Sequence, residues 1–387
     1  MLMKKTERKT KKVSKKKFGT ISLILMFLLT GCGTPIEIES GVVSEQTAET
    51  TVVVAETVSD TTVPTEAVTE TTVPPEPVNL IFNPLTGTTS MNERAAGKRP
   101  VAVMVNNIKA ALPQYGIEAA DLLYELPVEG GITRMMAVYA DYQGVPNVCS
   151  VRSCRYYYPI LCLGMDAFYC HWGTDKTIAL DTLNRTGIDH LDGGSLFGRI
   201  FFRDSDRLGK YASEHTGYLD GAKLGEYLEA SGYRKERDEA HQDPMFRFVS
   251  EDAQFTPSEI AATTVSLRFS SAYFSTFTYD AEKGVYLKQH SGSPQIDQHT
   301  GNQLSFENVF ILQTDIHPRE DNYLMDVALT EGTGYYAANG GMQTITWRKE
   351  SETAPIRVYQ ADGAELQVNP GKSYIGIIGF DAPVTYS

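Results

Sequence analysis

From residue 101 to residue 192 short apolar runs alternate with polar punctuation. Residues 101–105 are continuously apolar after Pro100, the pattern of a strand buried on both faces, and the run stops at Asn106-Asn107. Residues 122–126 and 132–139 read as strands around the Glu129-Gly130-Gly131 turn, and 165–170 and 188–191 as further buried strands. Residues 156–163, 177–185 and 221–230 fit helices, the first because Pro159 falls within its opening turn; residues 117–121 allow one helical turn. Strands alternating with helices predict an α/β layer. After residue 260 the pattern changes to short strands, at 264–269, 274–279, 285–289, 309–313, 342–348, 356–359 and 374–378. Turn residues such as Asn339-Gly340-Gly341 and Asp362-Gly363 separate them. The expected fold is an α/β N-terminal half followed by a β-rich, largely antiparallel C-terminal half, α+β overall.

The first 80 residues follow neither pattern. Nine Lys or Arg precede an apolar stretch at 21–29 that is short for a bilayer span and leads into Leu29-Thr30-Gly31-Cys32. A small residue before a cysteine at that place is a lipobox: residues 1–31 read as a lipoprotein signal peptide. Cys32 is then the thiol that carries the acyl (palmitate-type) chains, and two chains hold a protein to the membrane where one does not. Residues 32–80 are rich in Thr, Val, Pro and acids, without Lys or Arg, and Thr61-Thr62-Val63-Pro64 recurs at 71–74. That composition predicts an extended acidic tether. The folded part then divides into 81–255 and 256–387.

Charge narrows the partners. The net charge is -13; residues 1–32 carry +8, which leaves -21 on the part outside the membrane. Such a body repels nucleic acid and anionic lipid headgroups, so no nucleic-acid partner is expected.

Residues 121–173 hold the candidate chemistry: five acids, three arginines, four cysteines and a histidine among short apolar runs. Arg152-Ser153-Cys154-Arg155 stands between a strand and a helix, with Ser153 placed to cap the helix and two guanidiniums beside its start. That is a site for carboxylate or phosphate unless the arginines pair with Glu125 or Glu129. Arg134, Asn106, Asn107, Asp192 and His215 join Arg152, Ser153, Arg155 and His171 as ligand-binding candidates. Glu125 and Glu129 with His171 are the candidate catalytic groups, since two carboxylates on one cleft divide into acid and base. Cys149, Cys154, Cys162 and Cys170, spaced by five, eight and eight residues, lack any C-x-x-C knuckle, so no metal is expected. Buried free thiols are the expected state, with Cys149–Cys170 the pair to test for a disulfide. Gly193-Gly194-Ser195 lacks the lysine and spacing of a phosphate loop, and no cofactor motif is present.

Several motifs together resemble the YerB-type family of predicted Gram-positive lipoproteins, whose core domain of unknown function has two parts. The matching stretches are Asn83-Pro84-Leu85-Thr86-Gly87, Arg99 to Asn107, Glu125 to Arg134, Val151-Arg152-Ser153-Cys154-Arg155 and His190-Leu191-Asp192-Gly193. Trp347-Arg348-Lys349 and Asn369-Pro370-Gly371-Lys372 follow in the C-terminal part. The chain departs from the expected pattern at Cys154, where a small residue is expected, and at Ser213-Glu214-His215-Thr216. The resemblance covers about residues 83 to 380 and implies a surface lipoprotein, with no assigned activity.

Three functions fit these observations. The first is a lipid-anchored protein on the extracytoplasmic face that binds an anionic envelope component through the Arg-rich cleft. The second is a wall-active hydrolase or transferase using Glu125 or Glu129 with His171. The third is a scaffold for another envelope protein.

Overall fold

The computed structural model describes residues 79–320 and 323–387. The signal peptide, Cys32 and the tether lie outside these residues. No helix among the described residues is long and apolar enough to cross a membrane.

Twelve strands carry the architecture. In the first half they are β1 (Val101–Asn106), β2 (Leu122–Pro127), β3 (Thr133–Tyr139), β4 (Phe168–His171) and β5 (His190–Asp192). In the second they are β6 (Thr264–Arg268), β7 (Phe274–Asp280), β8 (Val285–His290), β9 (Asn308–Thr314), β10 (Glu331–Ala338), β11 (Gly341–Arg348) and β12 (Ser373–Gly379). Three helices accompany them: α1 (Tyr157–Leu163), α2 (Ile178–Thr186) and α3 (Gly221–Ala230). The α+β expectation holds, with strand dominating and the C-terminal half built from antiparallel hairpins. Residues 117–121 form a turn instead of a helix.

An eleven-stranded mixed sheet has the order β11-β10-β9-β12-β2-β3-β1-β4-β5, with short strands added beside β11. The pairs β9–β12, β12–β2, β1–β4 and β4–β5 are parallel. The continuous run at 101–105 is explained by position: β1 lies between β3 and β4 and every residue of it is buried. Its side chains alternate between two cores. Ala102 and Met104 face α1 and α2, among Tyr157, Tyr158, Leu161, Ala179 and Leu183. Val101, Val103 and Val105 face α3 and the second sheet, among Leu224, Leu228, Val265, Phe277 and Tyr286. That second sheet is built on β6, β7 and β8. Since β12 is hydrogen-bonded between β9 and β2, the main sheet runs across residue 255 and joins the two halves.

Strand β10 has no counterpart among the expected strands because its sequence, EGTGYYAA, opens with two glycines that read as turn. They are there for clearance. A Cβ on Gly332 would stand 1.9 Å from the Gln313 carbonyl oxygen, and one on Gly334 would stand 2.0 Å from that of Ile311. Both oxygens belong to β9, which cannot retreat without breaking its pairing with β12. Gly334→Ala is therefore expected to cost about 1–3 kcal/mol, read as a lowered urea midpoint. Gly232→Ala, where a Cβ meets nothing within 4 Å, is the control and should leave the midpoint unmoved.

Candidate functional site

The parallel strands β1, β4 and β5 end at the same edge of the sheet, with Asn106, His171 and Asp192 as their last residues. Ligand sites of open parallel sheets form at this carboxyl edge, where strands stop and loops diverge. Residues 150–154 run along it. Arg152 N–H donates to the Met104 carbonyl (3.0 Å), Trp172 N–H to that of Arg152 (3.0 Å), Val151 N–H to that of Gly217 (2.8 Å) and Cys154 N–H to that of Gly173 (2.9 Å). These bonds bring Asn106, Arg152, Ser153, His171, Asp192 and His215 to one edge of the sheet from five separate parts of the chain.

Their side chains have unequal freedom. Asn106 donates from its amide nitrogen to His215 Nδ1 (3.0 Å), so that nitrogen accepts and the proton of the neutral ring sits on Nε2. Burial lowers the His215 pKa, and the Arg152 and Arg207 charges add to this against the Glu214 carboxylate. Arg207, which the sequence did not single out, is almost wholly buried and holds this loop. It donates to the carbonyls of His215 (3.1 Å), Pro113 (2.7 Å) and Ala111 (2.5 Å) and to Gln298 Oε1 (3.0 Å). Arg203 stacks 4.3 Å from the Trp172 ring centre and donates to the Ser213 carbonyl (2.5 Å).

His171 Nδ1 lies 2.9 Å from the Gly173 carbonyl, which can only accept, so Nδ1 carries the proton. His171 Nε2 therefore accepts from His190 Nδ1 (2.9 Å). Burial pushes the His171 pKa down to about 4; the Gly173 carbonyl and Asp192 oppose this and His190 adds to it. Asp192 accepts from Gly173 N–H (2.7 Å), so it shapes the turn after β4.

The arginines divide. Glu129 takes Arg155 in a two-pronged pair, Nε to Oε2 at 2.8 Å and Nη2 to Oε1, and Arg134 reaches the same Oε1 at 3.3 Å. Burial alone would raise the Glu129 pKa, but the Arg155 bond and the Arg134 charge outweigh it and hold the group ionised. Arg155 and Arg134 also donate to the carbonyls of Cys154 and Ser153, each at 2.7 Å. Helix α1 starts only at Tyr157, so Ser153 does not cap it, and the seven-residue helix supplies no anion-binding end. Arg152 differs from its neighbours: half-buried, its guanidinium makes no hydrogen bond and no ion pair among the described residues, and burial works against its charge.

Glu125 does not face this cleft. It points into the core between the two sheets, where it pairs with fully buried Lys288 at 3.2 Å. Its Oε1 accepts from Asn107 and Thr133, and its Oε2 from Ser275 and Tyr374, all at 2.8 Å. Burial would raise its pKa; Lys288, His290 and these hydrogen bonds keep it below the ordinary value. Asn107 thus belongs to the interior, with Gln114 and Gln295 donating to its Oδ1 (3.1 Å each). The sequence carried a signal for this network. In β8, Tyr286, Lys288 and His290 alternate on the inward face, where apolar residues are the rule. All four cysteines from Cys149 to Cys170 are buried free thiols, and burial raises Cys149 and Cys154 to about 12.

Two family models match successive parts of the chain. Residues 85–234 match the N-terminal domain, and residues 265–375 the C-terminal domain, of the family described as "Protein of unknown function (DUF3048)". The chain is 27% identical over 298 residues to the protein named "Putative lipoprotein YerB" of Bacillus subtilis (strain 168), an alignment spanning 76% of this chain and 85% of that one. The chain belongs to the YerB-type family. The crystal structure of YerB from Bacillus subtilis superimposes with a TM-score of 0.66 at 25% identity, covering 79% of this chain and 99% of that chain. The resemblance drawn from the motifs is thereby met. The YerB-type motif Val151–Arg155 runs along the carboxyl edge of β1 and β4, and the Glu125–Arg134 motif supplies both Glu129, which holds Arg155 there, and Glu125 in the core.

Proposed function

We propose that the protein is a lipid-anchored binding protein of the extracytoplasmic face, and that it holds an anionic envelope component at Arg152 and His215. The anchoring part rests on the lipobox at Cys32 and on the lipoprotein name of its Bacillus relative. The binding part rests on one observation, the unpaired, half-buried Arg152 at the carboxyl edge of β1 and β4. Taking a guanidinium partly out of water without a counter-charge is unfavourable, and an anionic ligand restores what burial removed. The Nε2–H of His215, itself almost wholly buried, and the hydroxyl of Ser153 are further donors on the same segments. Arg134 and Arg155 lie behind, neutralised by Glu129, and brace the backbone of residues 153–154. The hydrolase reading finds less support, because Glu125 is interior, Glu129 is held by two arginines and His171 has both ring nitrogens engaged.

The test is calorimetric titration of the detergent-solubilised chain with carboxylate- and phosphate-bearing wall fragments at low salt. Arg152→Gln is expected to weaken the ligand that binds by about ten- to a hundred-fold, the worth of a charge-assisted hydrogen-bonded contact. Arg134→Gln should leave affinity changed far less. Equal affinity in the Arg152 variant would sink the reading.

A further inference from the structure

The charges around Arg152 point to the kind of ligand as well as to its sign; this step rests on the binding reading above. Glu214 is exposed on the short turn Ser213–His215, the loop that Arg207 and the Asn106–His215 bond fix against the end of β1. Val151 N–H, bonded to Gly217, ties that loop to the segment carrying Arg152. Arg152 and Glu214 are each other's neighbours in charge, yet they form no ion pair. Among the described residues neither side chain makes an ion pair, although Glu129 also acts on Arg152, and the Arg203 charge on Glu214, without direct contact. Arg203 itself lies over Trp172 and bonds the Ser213 carbonyl, and neutral His215 accepts from Asn106. Beyond its own backbone N–H, the Glu214 carboxylate has no hydrogen-bond partner.

Two opposite charges on neighbouring segments that are tied by backbone hydrogen bonds, and out of ion-pair contact with each other, make a surface with two poles. A purely anionic ligand would satisfy Arg152 while meeting repulsion from Glu214. A ligand carrying both charges a short distance apart satisfies both. We propose that Arg152 and Glu214 form a recognition site for a dipolar group, whose carboxylate or phosphate meets the guanidinium and whose ammonium meets the carboxylate. A free amino terminus on a short peptide and a phospho-amino alcohol share this chemistry. In this site Arg152 supplies affinity, and Glu214 discriminates free amines from acylated ones.

The experiment uses the full chain in detergent at low ionic strength, where exposed charges are least screened. Two probe pairs are titrated: glycylglycine against N-acetylglycylglycine, and O-phosphoethanolamine against inorganic phosphate. In at least one pair, the amine-bearing member is expected to bind about tenfold tighter, the size of one well-placed charge contact. The pair that shows it identifies the carboxylate or the phosphate source. Glu214→Gln should abolish that preference by weakening the amine-bearing member and leaving the amine-free member as tight or tighter, and Arg152→Gln should weaken both members. Glu214 is exposed and the Arg152 guanidinium bonds to nothing, so both variants should keep the parent melting temperature, which is checked alongside. If Arg152→Gln weakens binding but no amine preference exists, or Glu214→Gln leaves the preference intact, the dipolar site is wrong and the anion site stands. If Arg152→Gln changes nothing, or no probe binds at all, both fall.

Discussion

Replacing Lys288 with Met should remove about 3–5 kcal/mol of stability, a large part of what a domain of this kind possesses. The lysine side chain is fully buried, and its ammonium donates to Ser275 Oγ (2.8 Å) and Gln295 Oε1 (2.7 Å) while pairing with Glu125. Met fills a similar volume, so the loss comes almost wholly from leaving a carboxylate in the core without its counter-charge. Adding Glu125→Gln should therefore recover much of it, because the double variant buries no charge; its amide oxygen can still accept from Asn107 and Thr133, while its NH2 faces the Ser275 and Tyr374 hydroxyls, whose oxygens can accept. Urea unfolding of the two single variants and the double variant measures the coupling directly. Additive losses would mean that the pair is incidental. A strong rescue would show that the network serves to align the two sheets, since Asn107, Glu125 and Thr133 come from one half and Ser275, Lys288 and Gln295 from the other.

Acid should weaken the protein from about pH 6.5 downward. Burial, reinforced by the Lys288 charge, pushes His290 down to about 4, and burial likewise holds His171 at about 4. Both groups are more readily protonated in the unfolded chain, whose histidines titrate at about 6.5. The native state binds fewer protons, so this contribution is complete above pH ~6.5 and declines as pH falls toward 4. At about 1.4 kcal/mol per unit of displacement, each histidine accounts for roughly 3 kcal/mol across that window. Glu125, with its pKa depressed, adds a further loss only below its ordinary range. His290 has neither ring nitrogen hydrogen-bonded within the protein and faces Lys288, Glu125, Lys109 and the Tyr273 ring, so His290→Gln isolates its share. The fall in urea stability between pH 7 and pH 4 should shrink by about half in that variant. An unchanged profile would mean that His290 titrates normally.

Fold and site were legible to different depths, for reasons that particular residues make plain. Strand β1 and helix α3 were readable because local pattern and final environment agree: a wholly apolar run between two sheet neighbours, and an apolar stripe at helical spacing. Strand β10 was hidden because Gly332 and Gly334 answer to β9, a neighbour that sequence spacing does not reveal. Among the candidate site residues, the motif Val151–Arg155 marked a segment that lies at the carboxyl edge of β1 and β4. It could not separate Arg152 from Arg155, because the difference lies in which guanidinium meets Glu129. Glu125 and Glu129 are four positions apart along a strand and its turn, yet one faces the core and the other the cleft. Lys288 was visible as a misplaced charge, but its partner is 163 positions away in the chain.

The place of β12 also bears on how the molecule comes into being. This strand is the one that β9 and β2 both need as a neighbour, and its Ser373 pairs with Leu122, 251 positions away in the chain. The hairpins of the first half can pair locally, but the central sheet cannot close until residues 373–379 are in place. Closure of the sheet is therefore a late event in folding, because contacts of the longest range carry the largest loop-closure cost.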